Sequence, residues 1–333
     1  MSRFGGFGDG PRGKRPEDMR GGVVEVEDPQ SSVHAPSSYR PQKLRNVLLQ
    51  DLKRRRAAER DRANRAFYDA LIQSLQRKDL GVPPFPTTAL KLDALIREDK
   101  EATPRLAALV DKDPALVKEV WGAARKVAED RQPRTLEQAI KLVGLDRLWQ
   151  ISFRITTQSA VFRVRGYEDL TDEIRTHGIV VARIAGWMGD HGRGTHYISG
   201  LLHDVGRLVI LHAAGKCRGV RRPDAQLVNT LVDEHHTALG LLIGRAWRLP
   251  RSVAMALGFH HHPEEAPSEY RSLCRILQAA DLASHAACER KRGATPVAEA
   301  ALRSVNGLNL PHGAVLKRAI QVDELIRRES KAA

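Results

Sequence analysis

The stretch that decides the fold is ISGLLHDVGRLVI, residues 198–210. At its centre stand two adjacent polar residues, His203 and Asp204. Ile198, Leu201 and Leu202 lead in, and Leu208, Val209 and Ile210 follow. Burying a carboxylate in so apolar a run is costly unless something pairs with it. The same pressure recurs further along. Asp281 lies inside ILQAADL (276–282), and His260 and His261 end the run containing Val253, Ala254, Met255 and Leu257.

Working outward, eleven of the thirteen histidines fall between His177 and His285. Glu173 and His177 are four residues apart on an expected helix and so share a face. His236 precedes Gly240 on another helix. Each residue alone is explained equally well as a core, capping or surface group. Together they point to convergence on a metal. Mixed imidazole and carboxylate donors suit Mn, Fe, Ni or Zn better than Mg alone. An aspartate can bridge two ions, and two ions can clamp a phosphate and activate a water. His191, His196, His212, His235, His262 and His285 are expected to be structural or surface residues.

The rest of the chain sets the frame. Its 333 residues are 42% hydrophobic but only 5% aromatic. Runs of Ala, Leu, Arg, Glu and Lys favour helix, so an all-α protein is expected. No apolar run is long enough for a membrane span, and the first residues lack a signal peptide's apolar middle. Three cysteines without metal-type spacing suit free thiols in a reducing cytoplasm. Residues 1–41 read as a disordered arm, rich in Gly, Pro and Ser. Residues 42–79 read as one basic amphipathic helix, with Leu44, Val47, Leu48, Leu52 and then Ala63, Phe67, Leu71 and Leu75 on one stripe. The formal charge is +14, and Arg40 to Arg65 hold ten Lys/Arg against three Asp/Glu. This segment, 42–65, is expected to be a solvated helix that packs one stripe. The sharper alternative is contact with nucleic acid or an acidic partner. Residues 80–165 read as short helices, with Asp113 and Thr135 as caps and Gly144 as a stop. Residues 166–290 carry the polar chemistry, and 291–333 read as closing helices.

In this order the motifs resemble the HD superfamily of metal-dependent phosphohydrolases, and most closely its HDOD branch. The likeness runs from VPPFP (82–86) through DPAL (113–116), TLEQAI (135–140) and LVGL (142–145). It continues with GLLHDVGR (200–207), His236 to Gly240, WRLP (247–250) and HHHP (260–263). It implies an all-α HD-superfamily bundle with an N-terminal subdomain of short helices, together spanning 80–290. It also implies one or two divalent ions held by His177, His203, Asp204, His236, His260, His261 and Asp281, with Glu173 as a further ligand.

The function implied is a bacterial signal-transduction output module acting through contacts with signalling proteins. The alternative is an active phosphohydrolase on a nucleotide or cyclic dinucleotide, with Asp204 and Arg207 as its catalytic residues. A third reading is nucleic-acid binding through the basic helix. Three departures from the family pattern weigh against catalysis. The Gly-Tyr-Pro signature is absent, since Pro263 runs into Glu264 and Glu265. Arg207 stands where a lysine is common. Ala123, Ala124 and Arg125 replace a common Asn-Ser segment.

Overall fold

The computed structural model describes residues 41–98, 102–128, 132–189, 194–217, 222–293 and 297–331. The expected arm over 1–41 lies outside these residues, apart from its last. All regular structure among the described residues is helical. None of the helices is long and apolar enough to cross a membrane.

The basic segment departs from expectation: it forms two helices, α1 (Pro41–Ala58) and α2 (Arg62–Gln76). Local hydrogen bonding causes the break. Asp61 accepts from the N–H groups of Ala63 and Asn64 at 2.8 and 3.0 Å, which starts a new helix. Glu59 takes the N–H groups of Arg60 and Asp61 at 2.7 and 2.8 Å. The apolar stripe survives the break. Leu44, Leu48 and Leu52 of α1 are buried, as are Phe67, Leu71 and Leu75 of α2.

Five short helices follow: α3 (Thr88–Glu98), α4 (Thr103–Val110), α5 (Pro114–Val127), α6 (Leu136–Val143) and α7 (Leu145–Thr157). Their caps are those expected. Asp113 accepts from Ala115 and Leu116, and Thr135 accepts from Gln138. Gly144 ends α6 at φ +76°.

The second half comprises α8 (Glu168–Gly189), α9 (Thr195–Leu202), α10 (Val205–Gly215), α11 (Ala225–Ala246), α12 (Arg251–Phe259) and α13 (Arg271–Arg292). It closes with α14 (Val297–Ser304) and α15 (His312–Lys331). Helix α8 packs on α9, α10 on α11, and α11 on α12, while α13 lies against α8, α9 and α15. The N-terminal pair belongs to this half: α1 contacts α11 and α2 contacts α10. One continuous apolar core runs from Leu44 to Ile326.

Candidate metal centre

His203 and Asp204 occupy the break between α9 and α10. His203 closes α9, and its Nδ1 lies 2.8 Å from the Gly200 carbonyl. Asp204 stands at the start of α10 but makes no side-chain cap to its own helix. Its carboxylate is turned inward instead. Two close helix crossings hold this corner. A Cβ on Gly200 would meet the Ala182 Cα of α8 at 2.6 Å. One on Gly206 would meet the His236 carbonyl of α11 at 1.9 Å. Only glycine permits these approaches.

Three histidines share one device. His203, His236 and His260 place Nδ1 at 2.8, 2.8 and 3.1 Å from the carbonyls of Gly200, Val232 and Leu257. A carbonyl only accepts, so each Nδ1 carries a proton and each Nε2, once its ring is neutral, presents a lone pair. All three Nε2 atoms face one interior region.

The carboxylates complete it. Asp281 Oδ1 lies 2.9 Å from His177 Nε2, 3.3 Å from His285 Nε2 and 3.6 Å from His203 Nε2. Asp204 Oδ2 is 3.5 Å from His203 Nε2 and 2.8 Å from Arg207 Nε, and its Oδ1 is 3.7 Å from His236 Nε2. His236 and His261 bring their Nε2 atoms within 3.0 Å of each other. Donor atoms thus gather in triads, each within 4.8 Å: His236, His260 and His261; and, sharing His177, the sets His177, His203, Asp204 and His177, Asp281, His285. The His203 and His260 rings, 5.2 Å apart, join the two sides.

All seven ligand candidates of the sequence therefore meet in space. Glu173 does not join these triads. It is exposed on α8 and lines the cleft outside His177. His285 is the residue that sequence reasoning missed. It stands one helical turn after Asp281, a spacing that could have revealed it. His235, buried beside Asp51, and His212, bonded to the Val161 carbonyl, are structural as expected. His191 lies outside the described residues.

Burial and charge set the protonation. Burial disfavours both carboxylates, but His203, Arg207 and His236 outweigh it at Asp204, holding it well below its usual range. Hydrogen bonds from His177 and His285, with the charge of His203, do the same for Asp281. Burial pushes His177, His236 and His260 down, and His261 to about 4. Burial also opposes the charge of His203, yet Asp204 and Asp281 raise it to about 9.

The donor set fits a divalent ion. His203 Nε2, Asp204 Oδ1 and His260 Nε2 are buried without a hydrogen-bond partner among the described residues. Orphaned polar atoms of this kind are costly to bury. Divalent ions held by the residues on the two sides would relieve that cost. Beside them opens a cleft of about 1060 Å³, lined by His177, Asp204, Arg207, Glu173, His285 and Asp172 among others.

Known proteins agree with this architecture. The family model of the HDOD domain matches residues 82–263, more than half of the chain. An uncharacterised protein of Treponema pallidum is 24% identical over 213 residues, which are 60% of this chain and 42% of that protein. This chain thus matches less than half of that relative's length. A solved structure from Shewanella amazonensis SB2B, provisionally named a metal-dependent phosphohydrolase, is 16% identical with a TM-score of 0.51, covering 86% of this chain and 99% of its own. One from Marinobacter aquaeolei VT8, provisionally named a signal transduction protein, is 21% identical with a TM-score of 0.51, covering 80% and 64%. At such identities these two speak for the fold alone. With the family match spanning the short helices, the His203–Asp204 corner and the histidine run at 260, the chain belongs to the HDOD family.

Proposed function

We propose that this protein is a signalling output module that acts through contacts with other proteins and is built around a retained divalent-metal centre. The observation that carries the metal reading is the set of orphaned atoms His203 Nε2, Asp204 Oδ1 and His260 Nε2. His177, His203, Asp204 and Asp281 would hold an ion on one side, with His236, His260 and His261 on the other. Such an ion supplies Lewis acidity and lowers the pKa of a bound water. The chain's own residues supply the rest. Carbonyls of Gly200, Val232 and Leu257 orient the rings, and Arg207 holds one oxygen of Asp204.

Metal analysis after expression with added Mn or Fe tests this. Retained metal, lost in Asp204→Ala and His260→Ala, is the expected result. Metal-free wild-type protein under those conditions would rule the centre out. The output role is tested by pull-down with signalling proteins of the same cell, where capture of none would count against it.

One observation favours a second reading, hydrolysis of a phosphate ester. The cleft reaches Asp204 and Arg207, and Arg207 spends its Nε on Asp204, leaving the terminal nitrogens for a phosphate. Against it, Asp169, Asp172 and Glu173 line the same cleft and repel an anion. A phosphodiesterase assay with Mn decides: turnover abolished by Asp204→Ala supports the hydrolase, and no turnover leaves the output module. Contact with nucleic acid through 42–65 draws less support. Arg55 pairs with Asp51 and Glu234 at 2.8 and 2.6 Å, Arg56 with Asp69 at 2.9 Å, and Arg54 with Asp51 at 2.6 Å.

A further inference from the structure

Across α8 from the metal-side cleft lies a second groove, of about 1500 Å³, between α7, α8 and α15. Its charge is one-sided. Arg147 and Arg154 come from α7, Arg175 and Arg183 from α8, and Arg318 and Arg328 from α15; against them stand only two acidic residues of the lining, Asp172 and Glu324. Arg154 pairs with Glu119 and Arg175 with Asp172. Arg318 is poised differently. Its guanidinium lies 5.9 Å from the centroid of the Trp187 ring, and its Nε is buried without a hydrogen-bond partner among the described residues. Trp187 is half-buried in the same lining, and Tyr197 there packs edge-on against Trp149 and Phe153.

From this arrangement we propose that the groove binds single-stranded nucleic acid. Each wall presents its arginines seven to ten residues apart, which at about 1.5 Å per residue is roughly 10–15 Å of helix. That length exceeds one phosphate group and matches a run of them. An aromatic face such as that of Trp187 beside a cationic track is what unpaired bases stack on, and duplex bases are not free to do so. The protein's charge of +14 adds a favourable long-range field. The basic helix pair is less suited to the task, because Arg54, Arg55 and Arg56 face internal carboxylates. This inference does not depend on the metal reading. The groove and the metal-side cleft share Asp172 and Thr176 as a wall, but the arginines invoked are not metal-ligand candidates.

Fluorescence anisotropy on the full chain tests it, with short fluorescein-labelled oligo-dT and oligo-rU as probes. Binding is expected to weaken linearly in log salt. The Arg147→Glu/Arg318→Glu double variant is expected to weaken it about tenfold or more, since two cations become two anions. Trp187→Ala is expected to weaken it about fivefold or more through lost stacking. Arg54→Glu is the control and is expected to leave it within about twofold. Circular dichroism and thermal melts verify that the groove variants are folded. If Trp187→Ala unfolds, the double variant alone decides. Absence of binding by wild-type protein at low salt overturns the proposal. So does binding that falls with Arg54→Glu but not with the double variant, or a preference for duplex or free nucleotide over the single strand.

Discussion

At the scale of single residues, the centre sets opposite charge preferences side by side. His203 is raised to about 9, from an ordinary 6.5, by two carboxylates that outweigh its burial. Its contribution to stability is complete below about 6.5 and is lost as the pH rises towards 9. His236, His260 and His261 are pushed down by burial, so theirs is complete above about 6.5 and is lost as the pH falls, for His261 towards 4. His261 is exposed at one edge although protein surrounds its ring, so solvent screens part of its share. The metal-free protein is therefore expected to be most stable near pH 6.5. Urea midpoints measured in chelator at acid, near-neutral and alkaline pH check this, and a flat profile would refute it.

A ligating imidazole is neutral. Metal uptake at neutral pH should therefore displace a proton from His203, with affinity rising towards pH 9. Calorimetry in buffers of different ionisation enthalpy would detect that proton. Asp204→Ala strips Arg207 of its 2.8 Å partner and His203 of one carboxylate. A loss of up to about 3 kcal/mol is expected, at the low end for a buried pair because Arg207 keeps some contact with solvent. Denaturant melts of the metal-free forms would measure it.

At the scale of elements, close helix crossings position the centre. Gly206→Ala drives a methyl into the His236 carbonyl at 1.9 Å and the Gly240 nitrogen at 2.6 Å, both backbone atoms that a rotamer change cannot move. Helix α10 must separate from α11. The expected cost is about 3 kcal/mol or more, at or beyond the usual upper range for overpacking. A thermal melt indistinguishable from wild type would disprove this account. The first helix is equally accessible to test. Leu48 is 1% exposed. Its truncation to Ala should cost about 2–5 kcal/mol, whereas a solvated helix with no role in the core would lose almost nothing.

These elements also show where sequence reading stops. The stripe from Leu44 to Leu75 has a helical period throughout, so it reads as a single rod. Asp61 and Glu59 interrupt it by taking backbone N–H groups, and such local competition leaves the apolar period unchanged. Asp113, Thr135 and Gly144 were legible because cap chemistry acts over only three or four residues.

At the scale of the whole molecule, metal and fold are coupled. A ligand that binds only the folded chain stabilises it by about 2.7 kcal/mol at a hundred times its dissociation constant. Chelator is thus expected to lower the melting temperature of wild-type protein and leave that of Asp204→Ala unmoved. An equal response in both would place the metal elsewhere. The charge distribution, too, is a property of the assembled chain. The densest basic run in the sequence is partly neutralised against Asp51, Asp69 and Glu234, while arginines scattered over α7, α8 and α15 gather into one groove.

The sequence by itself determined the helical class and the caps of the short helices, and it marked most of the polar residues that need partners. Asp204, Asp281 and the histidines stand in apolar helical surroundings, where polar side chains need partners, and that pressure is local. Tertiary structure alone decided the rest. It turned the Nε2 atoms of His203, His236 and His260 to one side, brought His285 to Asp281, and left Glu173 on the rim. It also folded α1 and α2 onto α11 and α10 and spent their arginines there. Those outcomes depend on how helices far apart in the chain cross and which carbonyls they offer, and neither is written in the spacing of residues along one helix.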